Sequence, residues 1–112
     1  MSDCLFCRIV AGEVPATVVA ETDRTLAFRD VAPQAPTHVL VVPRDHHADL
    51  TACAEADPGL LADVLAAAAA VARQEGLERG YRVLTNTGPD AGQTVAHLHL
   101  HVLGGRPLGA LA

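Results

Sequence analysis

Val95-Ala96-His97-Leu98-His99-Leu100-His101-Val102-Leu103 places three histidines at every second position and fills the intervening places with apolar residues. Side chains alternate between the two faces of an extended strand, so this spacing predicts three imidazoles on one face and Leu98, Leu100 and Val102 on the other. A strand with one apolar face needs a layer to bury it. The stretch therefore predicts a sheet that carries a polar site on one side and a hydrophobic core on the other.

The same spacing limits what the histidines can do together. Residues four apart on a strand lie about 13 Å apart at roughly 3.3 Å per residue, whereas a zinc ion holds nitrogen at about 2 Å. One ion can engage two neighbours at most, which favours divided labour. One imidazole attacks while the others position, protonate or ligate.

Working outward, Cys4 to Gly12 reads as a short helix ended by glycine. Thr17–Glu21 and Thr25–Arg29 read as paired strands across Thr22-Asp23-Arg24. His38-Val39-Leu40-Val41-Val42 reads as a third strand, buried on both faces and stopped by Pro43. Arg44 to Asp49 reads as polar connection. Asp57 caps a helix whose first residue is Pro58, with Leu60, Leu61, Val64, Leu65, Ala68, Val71 and Ala72 recurring on its core face up to Gly76. Tyr81–Asn86 is the expected fourth strand, Thr87–Gln93 a glycine-rich loop and His97–Leu103 the fifth strand. Five strands with one substantial helix inserted between the third and fourth make an α+β domain, a sheet backed by a helix, over residues 1–112.

The composition excludes several function classes. Thirteen acidic residues against eight basic give a formal charge of −5, which argues against binding nucleic-acid polymer by counterion release. Every basic residue is Arg, so a P-loop lysine and Schiff-base chemistry are ruled out. Any phosphate must be met by backbone amides, hydroxyls, Arg or His. The N-terminus lacks a signal pattern and no apolar run reaches membrane-spanning length. Three cysteines, an odd number, fit a reducing compartment. The expectation is a soluble cytoplasmic protein with no membrane or nucleic-acid partner.

Cys4 and Cys7 have Cys-x-x-Cys spacing, half of a tetrahedral zinc site, with His46 and His97 as candidates for the other half. Two half-buried thiols are the structural alternative, and Cys53 reads as packing. Asn86-Thr87-Gly88-Pro89-Asp90-Ala91-Gly92-Gln93-Thr94 leads into the histidine strand, so a ligand above the imidazoles would also meet the loop's backbone, amide and hydroxyl donors. His38 and Asp30 stand at strand ends, where turn amides alone can satisfy such side chains.

The run His97-Leu98-His99-Leu100-His101-Val102-Leu103 resembles the signature of the histidine triad (HIT) family. The chain is more narrowly similar to its Hint branch of purine nucleoside phosphoramidases through Phe6, Pro15, Leu26-Ala27-Phe28, Pro33-Gln34-Ala35-Pro36-Thr37-His38, Gly80-Tyr81-Arg82, Gly92-Gln93 and Gly104-Gly105-Arg106. That resemblance implies a five-stranded, mainly antiparallel sheet with one long and one short N-terminal helix. It implies hydrolysis of purine nucleoside 5′-phosphoramidates, AMP or GMP linked to an amine, through a nucleotidyl-histidine intermediate.

By matching positions, His99 would be the nucleophile, with His97, His101 and His38 around it as hydrogen-bonding or proton-relaying groups. His101 and His38 are the two candidates for the general acid. Asp30 would hold the ribose, Phe6, Ile9, Phe28 and Val31 would line the base pocket, and Asn86, Gly92, Gln93 and Thr94 would contact the phosphate side. Thr94 departs from the Ser of many relatives and adds a methyl there. Cys4, Cys7, His46 and His97 match the ligands of a structural zinc site in bacterial-type members, and no catalytic metal or organic cofactor is implied. The resemblance also implies a homodimer with the long helices packed together. Two other expectations share these residues: a dinucleoside polyphosphate hydrolase or nucleotidyl transferase, and a nucleotide-sensing or scaffold module.

Overall fold

Residues 3–111 are described by a computed structural model. In chain order the elements are α1 (Leu5–Val10), β1 (Val18–Glu21), β2 (Thr25–Arg29), β3 (Thr37–Pro43), α2 (Leu50–Ala56), α3 (Pro58–Gln74), β4 (Tyr81–Leu84), a single 3₁₀ turn (Pro89–Ala91) and β5 (Leu100–Gly104). The strands form one sheet in the order β1-β2-β3-β5-β4, and every neighbouring pair is antiparallel.

The apolar run of β3 puts it at the centre, where six of its seven residues are buried. Odd-numbered Val39 and Val41, with Ala27, Leu100 and Val102, face Leu60, Val64, Ala68, Val71 and Ala72 of α3 and form the main core. Leu40, Val42, Leu26 and Phe28 point the other way and gather under Phe6 of α1 in a second cluster. Ala68 and Ala72 lack bulk, so the helix lies close on the sheet. Leu65, expected inside, is instead 50 % exposed and shares its flank of α3 with exposed Ala62, Ala66 and Ala69.

Two helices stand where one was expected. Asp49 caps α2 by accepting from the Ala52 amide at 2.9 Å, and Asp57 both ends α2 and caps α3 by accepting from the Leu60 amide at 3.0 Å. That bond, with Arg24 bound to the same carboxylate, holds Asp57 below the usual carboxylate range. Leu50–Ala56 is short and has only one buried residue, Cys53, so it leaves no periodic apolar signal.

The fifth strand begins at Leu100, three residues later than expected. Continuing the β3–β5 register would set Pro43 opposite Leu98, and proline has no N–H for the ladder. Across the other edge β4 ends at Leu84, short of the expected Asn86. The histidine segment therefore leaves the sheet while Leu98 stays buried with Leu100 and Val102. Beyond β5, Gly105 has φ +97°, and a Cβ there would come within 2.9 Å of Pro36. The close crossing lets Arg106 donate to the Gln34 carbonyl at 2.9 Å, tying the chain after β5 to the loop before His38.

Candidate functional site

The three histidines lie on the Phe6 side of the sheet but belong to two different clusters. His97 is fully buried, and its Nδ1 lies 3.3 Å from Cys4 Sγ, 3.5 Å from Cys7 Sγ and 3.2 Å from His46 Nδ1. Cys7 Sγ is 3.2 Å from His46 Nδ1, and the four donor atoms all lie within 4.8 Å of one another. A tetrahedral zinc with two sulfur ligands at about 2.3 Å and two nitrogens at about 2.0–2.1 Å needs edges of about 3.3–3.8 Å, close to these separations. His97 Nε2 sits 2.9 Å from the Pro43 carbonyl, which can only accept, so the proton is on Nε2 and Nδ1 offers its lone pair to the cluster. That is the arrangement of a metal-ligating histidine oriented by a backbone carbonyl, and the residues fit zinc. Burial lowers the proton affinity of His97, which favours the neutral ligand form.

His99 follows the same logic in the opposite sense. Its Nδ1 lies 2.8 Å from the His97 carbonyl and must donate, which leaves the Nε2 lone pair as the nucleophilic position. Phe6 packs edge-on against His97, His99 and Phe28, with centroids 5.9, 5.0 and 5.5 Å apart. The His99 carbonyl accepts from Thr85 Oγ1 at 2.7 Å, and the Leu98 amide donates to the His47 carbonyl at 2.7 Å. These bonds take the place of the missing ladder.

His101 belongs to a second chain of bonds. The Gln34 amide donates to His38 Nδ1 at 3.0 Å, so neutral His38 carries its proton on Nε2. That Nε2–H faces His101 Nδ1 at 2.9 Å and the Asp30 carboxylate at 3.5 Å. His101 must then be protonated at Nε2, a buried atom without a partner among the described residues. The tautomers also decide against a second metal site at Asp30, His38 and His101: His38 Nε2 is a donor there and offers no lone pair. Asp30 is oriented by accepting from the Ala32 amide at 2.8 Å.

Burial lowers the pKa of His101 to about 4, helped by neighbouring His99 and His38 and opposed by Asp30. Between about pH 6.5 and 4 the unfolded chain takes up a proton that the folded one refuses, so stability is full above that window and falls as the pH drops through it. His101→Asn is expected to flatten the decline, leaving a residual slope from His97. Urea unfolding of both proteins at pH 7 and pH 5 checks this, and parallel losses would refute it.

Of the remaining expected site residues, Phe6 and Phe28 are buried, Ile9 packs beside them and Val31 stands fully exposed next to Asp30. Asn86 is half-buried, and Gly92 closes the 3₁₀ turn with φ +87°. Gln93 is committed to backbone: its Oε1 accepts from the Gly88 amide at 2.9 Å, and its Nε2 donates to the Ala48 and Val95 carbonyls at 2.7 and 3.0 Å. It braces the loop. Exposed Thr94 lines a cavity of about 600 Å³ together with Cys4, Cys7 and His46. A cavity of about 760 Å³, lined by residues 76–82 and 105–108, includes none of the histidines. Sequence reading missed Thr85 and the carbonyls of Pro43 and His47; a hydroxyl near a strand end and backbone acceptors carry no motif signal.

The fold and site define a small α+β domain in which a buried histidine nest and a Cys₂His₂ cluster share one face of a five-stranded sheet. The chain belongs to the HIT family, whose HIT domain matches residues 11–108. It is 52 % identical over 106 residues to an uncharacterized HIT-like protein of Synechococcus elongatus, covering 95 % of this chain and 93 % of that one. It is 47 % identical over 109 residues to a 14 kDa zinc-binding protein of Zea mays, with 96 % and 85 % covered. Its structure is similar to that of a HIT family hydrolase from Clostridium thermocellum at a TM-score of 0.93 and 43 % identity, covering 99 % and 97 % of the two chains.

Proposed function

We propose that the protein is a hydrolase that cleaves the P–N bond of purine nucleoside 5′-phosphoramidates. The reading rests on one juxtaposition: the lone pair of His99 Nε2, set by the His97 carbonyl, and the Nε2–H of His101, which has no partner among the described residues and whose ring centroid lies 5.1 Å from that of His99. The first supplies an attacking atom and the second a proton donor. The relative from Clostridium thermocellum, a HIT family hydrolase, supports the reaction class.

In the first step His99 Nε2 attacks phosphorus, the P–N bond to the amine breaks, and the departing nitrogen takes a proton from His101. His101 is chosen over His38 because the His38 proton is already held between His101 and Asp30. The anionic phosphate favours a second proton on His101, at Nδ1, so that loss of Nε2–H leaves a neutral ring, while the His38 Nε2–H turns from His101 to the Asp30 carboxylate. Water then attacks the nucleotidyl-imidazole and gives a proton to His101 Nε2, the P–N bond to His99 breaks, and AMP or GMP leaves. Asp30 holds the ribose, Phe6, Ile9, Phe28 and Val31 the base, and the Asn86–Thr94 loop lies on the phosphate side.

Cys4, Cys7, His46 and His97 would hold a zinc ion whose contribution is to cross-link the N-terminal helix to the histidine segment. The zinc-binding relative from Zea mays supports that reading, and the proposal includes a cytoplasmic setting, where thiols stay reduced. The reaction is tested by following amine and AMP release from adenosine 5′-phosphoramidate in buffer containing EDTA and no added metal. Turnover is expected; its absence in folded protein that binds AMP would defeat the proposal.

A homodimer is the second part of the proposal. Leu65 and the alanines beside it leave an apolar flank on α3 that the described residues do not cover. Leu65→Glu is expected to convert dimer to monomer in sedimentation velocity at micromolar concentration. An unchanged sedimentation coefficient would place any dimer contact elsewhere.

A further inference from the structure

We infer that His97 is a positioning residue that couples the Cys₂His₂ cluster to the nucleophile, so that metal occupancy sets the placement of His99. The inference rests on the proposed zinc and nucleophile roles and concerns what links them. His97 belongs to both sites at once. Its ring contributes Nδ1 to the cluster, and its own carbonyl accepts the His99 Nδ1 proton at 2.8 Å.

The segment from His97 to His99 has no ladder bonds, since β5 begins at Leu100. Besides the Thr85 hydroxyl on the His99 carbonyl, its position depends on bonds to one neighbouring stretch, residues 43–48. His97 Nε2–H reaches the Pro43 carbonyl, the Leu98 amide the His47 carbonyl, and the Gln93 side chain bridges the Ala48 and Val95 carbonyls. His46, in that same stretch, is the cluster's exposed member. A metal bound by His46 and His97 would therefore lock the two stretches together beside the nucleophile.

The other half of the cluster acts through Phe6. Cys4, the N-cap of α1, and Cys7 within it bracket Phe6 on a helix of only six residues. The Phe6 ring packs on His97 and His99 with centroids 5.9 and 5.0 Å away. A helix this short has little stability of its own. The bonds from Cys4 and Cys7 to the histidines would hold the Phe6 wall against the nucleophile. Emptying the cluster thus loosens both the carbonyl that directs His99 and the ring that flanks it.

The test compares protein as purified, protein stripped with a strong chelator and then dialysed, and His46→Asn, which removes one ligand and leaves the catalytic histidines in place. Metal content, folding by circular dichroism, the hydrogen-bonded His99 Nδ1–H resonance and steady-state kinetics are measured on each. Filled protein is expected to hold about one zinc per chain. Stripped protein and His46→Asn are expected to lose or broaden that resonance and to drop kcat about tenfold or more, with KM moving less, as for other outer partners of metal sites. Restoring zinc to stripped protein is expected to restore both readings. Zinc-bound protein whose resonance and kcat survive stripping would overturn the coupling while leaving the nucleophile intact. Protein that takes up no zinc even when supplied with it would instead remove the zinc assignment, and with it the coupling. If stripping unfolds the chain, His46→Asn with a native circular dichroism spectrum decides the matter.

Discussion

His99→Ala is expected to abolish phosphoramidate turnover, lowering kcat by roughly 10⁴–10⁶-fold, the range seen when a nucleophile is removed from an enzyme with a covalent intermediate. No other imidazole can take over. His97 has its Nδ1 in the cysteine cluster and its Nε2–H on the Pro43 carbonyl. His101 presents an N–H at its Nε2 and accepts from His38 at Nδ1. AMP affinity should change little, because Phe6, Phe28 and Asp30 remain. Single-turnover assays with radiolabelled substrate would also lose the acid-labile nucleotidyl-protein adduct. A variant that retained a tenth of wild-type turnover would end the case for a histidine intermediate at this position.

Leu98→Ala is expected to be the most damaging apolar truncation near the site, costing about 3 kcal/mol within the 2–5 kcal/mol usual for buried leucines. Leu98 is 1 % exposed and packs in the core that α3 closes over the sheet. It also lies between His97 and His99, in a segment held by side-chain burial and a few single bonds because the ladder has ended. The cavity therefore opens beneath the nucleophile. The melting temperature should fall by roughly 10–20 °C for a chain of this size, and kcat should fall with it. A loss below 1 kcal/mol would mean that the segment is anchored by its hydrogen bonds alone.

Much of the architecture is legible in the residue pattern. The alternation around the histidines, the apolar run of β3 and the Asp57-Pro58 helix start each have a local physical cause, and each stands where it was expected. What escaped has non-local causes. α2 is too short and too exposed to show a period. Leu65 fits the helical apolar stripe as well as Val64 does, and only the position of the sheet leaves it outside. The late start of β5 follows from which residue Pro43 would have faced, a matter of register between strands nearly sixty residues apart.

The candidate site divides along the same line. Residue type and spacing singled out Cys4, Cys7 and the alternating histidines as the candidate site, and determined that Leu98, Leu100 and Val102 bury the opposite face, because alternation and ligand chemistry are local properties of a chain. Only the tertiary structure decided how the histidines are shared between two clusters and where each imidazole carries its proton. Those assignments come from backbone groups of Pro43, His97 and Gln34. A carbonyl or an amide is the same at every residue, so its position in space, and not its identity in the sequence, selects the tautomer.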